Sequence, residues 1–358
     1  MRRVILKCDH SASTTVMLTA AVRDLHASCP GQFQTDVRTR HNELWRNNPH
    51  LRRLDPRDPD VEQIDCNPPL TQRNDDPPFH FIHGFLRHLG NLLDVEIKPT
   101  VFRGDLHLSR REKSWISQLQ EITRDEIPFW VLSAGGTFEK TIKWWDRERF
   151  QTVINAFRDR ILFVQVGAEG DHHPELSGVV DLRGKTDLRQ LIRLIHHAQG
   201  VLCPLNLLMH LSSAVDTKHS SPNRACVVIA GGGQSTQWQR YPTHQFLHTI
   251  GALTCCDTAG CGRHRTHSLD DNSPSDSADK ICVDVVDDLP HCMHMIGAAD
   301  VIRSIQRYFD GGVLNYLSAD EIEVARKTLT DGVGLSESIY KGERGLSEQP
   351  GFMQQDRL

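Results

Sequence analysis

The sequence predicts an α/β chain of two doubly wound parallel-sheet domains that face a cleft. Three observations predict it. Short apolar runs such as RRVILKC, GVLCP and ACVVIAGG have the length and composition of strands buried on both faces. Amphipathic stretches of helical length alternate with them, the pattern that builds parallel sheets with helices on both sides. A charged connector over residues 99–127 then separates the first strand–helix series from a second. The expected division is 1–125, 126–310 with an insertion at about 252–296, and a closing 311–358 of helix and polar tail.

The elements follow in order. RRVILKC is a strand, and TTVMLTAAVRDLHASC a helix whose Val16, Leu18, Val22 and Leu25 form one stripe, ended by Pro30-Gly31. FQTDVRT and VEQIDC are strands, with NELWRNN a short helix between them and NDDPP a break after them. FHFIHGFLRHLGNLLDVEI is amphipathic. The second series runs PFWVLSAGG (strand), RERFQTVINAF (helix), RILFVQVG (strand), LRQLIRLIHHA (helix), GVLCP (strand), LLMHLSSAV (helix) and ACVVIAGG (strand). Asp187 and Gln190 are spaced as a capping box for the fourth of these. ADVIRSIQRYFDGG is a closing helix with glycines past its end.

Composition narrows the class. At 38% apolar and 24% charged residues the chain is globular, and a net charge of −5 gives no general pull toward nucleic acid or anionic lipid. The N-terminal apolar run is only Val4–Leu6, so neither a secretory signal nor a transmembrane segment is expected, and the expected location is cytoplasmic. In that compartment structural disulfides are not expected.

The chemistry lies at the strand ends. SAGGTFEKTIKWW places Gly135 and Gly136 after a strand and Lys143 seven residues later, which lets backbone N–H groups and a cation approach a phosphate. VQVGAEG ends another strand at Gly167 and offers Glu169 to a ribose hydroxyl. His210 sits early in a helix after a third strand. Lys-x-Trp before a helix, a strand ending Val-Gly, DLRGKTDLRQLIRLIHHA and then MHLSSAV come in the order found in family 9 glycosyltransferases. The chain resembles that family of ADP-heptose:lipopolysaccharide heptosyltransferases, most closely a cysteine-rich branch that includes protein heptosyltransferases. The likeness covers roughly residues 1–310.

The resemblance implies the GT-B fold, two Rossmann-like domains around a cleft, acceptor on the N-terminal side and nucleotide sugar on the C-terminal side. It implies inverting transfer of a heptose or similar sugar from an ADP-sugar to a hydroxyl acceptor, which would be saccharide, lipid-linked or protein. By the same resemblance Lys143, Gly135, Gly136, Thr137, Gly167, Glu169, Asn206, Met209 and His210 belong to the donor site, with Ser11 and Ser13 at the first strand's end. His80, His83 and Arg87 are candidates for the acceptor wall. Two positions depart from the family. Leu205-Asn206-Leu207 stands where Asp-(Thr/Ser)-Gly is usual, and Thr14 stands where the family places its catalytic aspartate. A threonine hydroxyl stays protonated near neutral pH, so either Asp9 or His10, close in sequence, supplies the base or activity is weakened or lost. The alternative function is therefore a degenerate binding protein.

Five of the ten cysteines lie between Cys255 and Cys292, spaced CC-x4-C-x20-C-x9-C in polar surroundings. Coincidental core thiols and a redox pair fit that setting poorly, whereas a structural metal would staple an insertion that lacks a core of its own. The resemblance implies iron or zinc held by Cys256, Cys261, Cys282 and Cys292, with no catalytic metal. Cys255 is the spare and can exchange roles with Cys256. His264, His267, His291 and His294 are further candidate ligands, whose more ordinary reading is exposed loop histidines. HSLDDNSPSDSADK within the insertion reads as a mobile loop. GCGRHRTH is a basic run, too short to outweigh the acidic balance and suggest a nucleic-acid partner. A homo-oligomer is compatible with the sequence.

Overall fold

A computed structural model describes residues 1–66, 80–218, 223–257 and 259–311. The NDDPP break and nearly all of 311–358 lie outside the described residues. The chain runs β1 (Arg2–Cys8), α1 (Ala12–Ser28), β2 (Phe33–Thr39), β3 (Val61–Asp65), α2 (Phe81–Leu93), α3 (Arg110–Ser114) and α4 (Gln118–Thr123). It continues β4 (Phe129–Leu132), α5 (Arg147–Phe157), β5 (Leu162–Gln165), β6 (Val179–Asp181), α6 (Leu188–His197), β7 (Gly200–Pro204), α7 (Leu207–Ala214), β8 (Ala225–Gly231) and β9 (His244–His248). A two-stranded ribbon of β10 (Val285–Val286) and β11 (Leu289–Pro290) precedes α8 (His291–His294) and α9 (Ala298–Phe309).

Two parallel sheets carry the fold. The first has the order β2-β1-β3 and the second β6-β5-β4-β7-β8-β9. Numbered from its own first strand, the second sheet runs 3-2-1-4-5-6, the order of a doubly wound dinucleotide-type domain, whose ligands bind where the strand order reverses. Here that point lies between the ends of β4 and β7.

Strand burial explains why this sheet forms. β7 and β8 are buried at every position, so apolar side chains serve both faces. Val131, Val201 and Val228 point toward α6 and α7, while Leu132, Leu202 and Val227 point toward α5 and α9. Gly200 leaves room for an indole: a Cβ there would stand 2.2 Å from the Trp130 ring. α6 starts on the capping box expected from its sequence, Asp187 accepting from the Gln190 N–H at 2.7 Å and Gln190 returning a bond to the Asp187 N–H at 2.8 Å.

The two sheets share one core. Val4 and Leu6 of β1 and Val16 of α1 join the same apolar cluster as Val201 and Leu211, and α1 packs on α7. The connector is tied down by Glu112, which forms a capping box with Ser109 and a bidentate pair with Arg189 of α6 at 2.6 and 2.8 Å.

Candidate functional site

A cavity of about 450 Å³ opens at the carboxyl ends of β4, β7 and β8. Lys140, Ile142 and Lys143 come from the segment after β4, and Leu205 from the residue after β7. Ala230, Gly233, Gln234 and Trp238 line it at and beyond the end of β8. Phe81, at the start of α2, closes it from the first sheet's side and stacks on Trp238 at 5.6 Å. The remaining wall is Gly262, Arg263, His264 and Lys280, all from the cysteine-rich insertion.

The lining carries four basic side chains and no carboxylate. Two of the four are partly engaged: Lys280 pairs with Asp279 at 3.2 Å, and Arg263 donates to the carbonyls of Ala278 and Ile281. Lys143 has no hydrogen-bond or carboxylate partner among the described residues. Its ammonium group is walled in by protein yet open to the cavity, and burial, with Lys140 beside it, lowers its pKa to about 8. Burial likewise lowers Lys140 to about 8, with Glu139 opposing and Lys280 assisting. His264 is lowered to about 4 by burial and the nearby lysines, so it faces the cavity as neutral imidazole, with Nδ1 3.1 Å from the Ser275 hydroxyl. Cations held partly desolvated and unpaired favour an anionic ligand that restores their charge.

The other expected donor residues are distributed unevenly. Gly135 and Gly136 serve the backbone. The Gly136 N–H donates to the His172 carbonyl at 2.9 Å, and a Cβ on Gly135 would lie 1.9 Å from that same oxygen. The close pairing with the 172 loop therefore accounts for both glycines and spends the Gly136 donor that a phosphate would need. Thr137 is exposed at the start of the 3-10 turn that carries the lysines. Gly167 makes room for the His173 ring, and Glu169 is exposed and outside the cavity lining. Asn206 is the N-cap of α7, accepting from Leu208 N–H at 3.0 Å and donating to Ser133 at 3.1 Å. Met209 is buried. His210 is sealed, its ring nitrogens bonded to Tyr241 at 2.8 Å and Gln239 at 3.1 Å, and burial lowers its pKa to about 3. A neutral, sealed imidazole brings no charge to a ligand, and His210 is outside the cavity lining.

On the first sheet's side, Ser11 caps α1. Its hydroxyl accepts from Thr14 N–H at 3.4 Å and lies 3.2 Å from the Thr14 hydroxyl, so Thr14 belongs to a helix cap. Ser13 is half-buried in the same turn. Asp9 is exposed and stands 3.7 Å from Arg40. His80 caps α2 through Ile82 N–H and is buried against Phe102 and Tyr241, and His83 also meets Phe102; Arg87 is exposed.

All ten cysteines are free thiols. Burial pushes the Cys292 thiol up to about 11, and the nearby thiols of Cys261, Cys282 and Cys256 add to this; burial likewise raises Cys255, with Cys256, Cys261 and Cys282 nearby. A Cβ placed on Gly232 would meet the Cys256 sulfur at 3.2 Å and the Cys292 Cβ at 3.1 Å, so this glycine leaves room between the two side chains. The donor set suits a thiophilic metal, although no three candidate ligands among the described residues stand in one coordination sphere.

Basic residues that the sequence did not assign to the donor site complete the wall: Lys140, Arg263, His264 and Lys280. The GCGRHRTH run held the signal for Arg263 and His264 only. The loop HSLDDNSPSDSADK, expected to be mobile, is instead folded around Arg265. The Arg265 guanidinium, 1% exposed, is gripped by Asp271 and Asp276.

The fold is GT-B, the two-domain class that houses nucleotide-sugar-dependent glycosyltransferases. It matches the iron-containing dodecameric glycosyltransferase TibC from enterotoxigenic E. coli at TM-score 0.54 and 14% identity, over 87% of this chain and 76% of that one. E. coli ADP-heptose LPS heptosyltransferase II matches at TM-score 0.51 and 16% identity, over 86% and 98%. A family 9 glycosyltransferase from Veillonella parvula matches at 0.52 and 11%, over 69% and 85%. TibC has also been described in complex with ADP-D-β-D-heptose. No curated protein matches the sequence. Residues 91–220 match the family model of glycosyltransferase family 9 (heptosyltransferase). No helix among the described residues is long and apolar enough to cross a membrane.

Proposed function

We propose that the protein is an inverting glycosyltransferase that moves a heptose or similar sugar from an ADP-sugar to a hydroxyl acceptor, in the cytoplasm. The observation that carries this is the unpaired, desolvated Lys143 in a carboxylate-free cavity at the strand-order switch point. In this reading Lys143, helped by Lys140, meets the diphosphate of the donor and stabilises the charge that grows on it as the glycosidic bond breaks. Phe81 and Trp238 roof the cavity and limit water. The first sheet, over about 1–125, presents the acceptor, and 126–310 holds the donor.

Deprotonation of the acceptor falls to Asp9, since Thr14 is engaged in the α1 cap and has no basic form near neutral pH. The same cap favours a second reading, a nucleotide-sugar binder without turnover. The four thiols Cys256, Cys261, Cys282 and Cys292 would hold a structural metal, iron or zinc, with Cys255 as the exchangeable fifth. Bound there, the metal would cross-link the insertion and leave no open position for substrate. One metal ion per chain by elemental analysis, four sulfur neighbours by X-ray absorption, and loss of both on Cys282→Ser would support that assignment.

The test of function is ADP release from ADP-heptose, with and without saccharide, lipid-linked and protein acceptors, by the wild type and Asp9→Ala. Release that is lost in a folded Asp9→Ala protein supports the transferase and its base. Release unaffected by the change keeps the transferase and rejects Asp9. ADP binding without release under any acceptor supports the binder.

A further inference from the structure

We propose that the cysteine-rich insertion acts as a clamp on the lysine segment of the donor cavity, with Arg265 as its positioning residue; this rests on the reading that the cavity takes a nucleoside diphosphate. The lysines lie on a segment that cannot hold its own shape. Phe138–Lys143 is a 3-10 stretch broken at Lys140, whose backbone (φ −131°, ψ 44°) is not helical. Such a stretch has few internal bonds and poor ones. Its missing bonds come from the insertion. Arg265 Nε donates to the Phe138 carbonyl at 3.0 Å, and Ile142 N–H donates to the His264 carbonyl at 3.1 Å. Between them, Thr266 N–H donates to the Thr141 hydroxyl at 2.9 Å, and the Thr266 hydroxyl to the Thr141 carbonyl at 3.3 Å.

The clamp is in turn anchored. Asp271 accepts from the two terminal guanidinium nitrogens of Arg265 at 2.8 Å, Asp276 accepts from one of them, and Cys282 N–H donates to the Arg265 carbonyl at 2.8 Å. Gly262 N–H reaches the Gly233 carbonyl at 3.0 Å, which joins the insertion to the loop after β8. A buried arginine with two carboxylates adds little net stability over an apolar cluster but fixes directions in space. The direction fixed here is that of Lys140 and Lys143. The insertion therefore does more than supply part of the wall: it sets the position of the cations on the opposite side.

The experiment is a double-mutant cycle on ADP affinity, read by calorimetry on the full chain: wild type, Arg265→Lys, Lys143→Gln, and the two together. Arg265→Lys keeps the charge but loses the fork and the Nε bond. We expect it to weaken ADP about tenfold alone and less than twofold when Lys143 is already Gln, because it acts through that lysine. Equal losses in both backgrounds, or no loss, would overturn the clamp. Asp271→Asn reads the same cycle if Arg265→Lys does not fold. A wild type that does not bind ADP at all would instead remove the donor reading on which the clamp stands.

Discussion

At the scale of single residues, burial decides which groups carry charge. Lys143 is held at about 8 rather than 10.5 because its ammonium group has lost water and gained no partner. A bound diphosphate would supply the partner and raise the pKa again, so binding should take up protons near pH 8. ADP affinity should then fall as pH rises from 7 through 9, and calorimetry in buffers of different ionisation enthalpy would show the uptake. An affinity flat across that range would contradict the assignment. Glu112 is the opposite case: the Arg189 guanidinium holds its pKa at about 2, below the usual 4.5. Glu112→Gln should cost about 2 kcal/mol in denaturant unfolding at pH 7, since it leaves a largely buried guanidinium poorly paired. Because the folded carboxylate titrates below the unfolded one, that difference should fade as pH drops from 4.5 toward 2.

At the scale of elements, the strands and helices of the second domain were legible because burial on two faces leaves runs such as GVLCP and ACVVIAG with little polar ambiguity. Caps written within four residues, such as Asp187 with Gln190, were legible for the same local reason. Roles set by distant partners were not. Gly135 and Gly136 look like a phosphate cradle until His172, far along the chain, is seen against them. HSLDDNSPSDSADK looks unstructured because its organising cation, Arg265, lies outside it and was counted in a basic run. Gly135→Ala should therefore destabilise the fold by about 2–3 kcal/mol through overpacking, since the added carbon would press on the His172 carbonyl. Thermal unfolding of that variant would show it. An unshifted midpoint would mean the 172 loop yields freely and the glycine is free to serve a ligand.

At the scale of the molecule, one core and one histidine-rich seam join the two sheets. His80 and His210 are both pushed by burial from 6.5 to about 3 and are neutral when folded. The unfolded chain binds protons at these sites below pH 6.5, where the folded chain does not, so stability should fall as pH drops from about 6.5 toward 3. Each group can contribute up to about 1.4 kcal/mol per pH unit in that window. Urea midpoints measured from pH 7 to 4 should decline for the wild type and less steeply for His80→Asn, whose side chain retains the cap on α2. The same seam places α2 over the cavity, and through it the first sheet faces the cationic site that the second sheet and the insertion build.

That site is the centre of the account, and the most direct measurement on it is ADP binding to the wild type and to Lys143→Ala, by calorimetry at pH 7. The account predicts saturable binding by the wild type and a loss of at least about tenfold in the variant with its melting temperature kept, the cost of removing one charge-assisted contact. Absence of binding, or equal affinity in the two proteins, would contradict it.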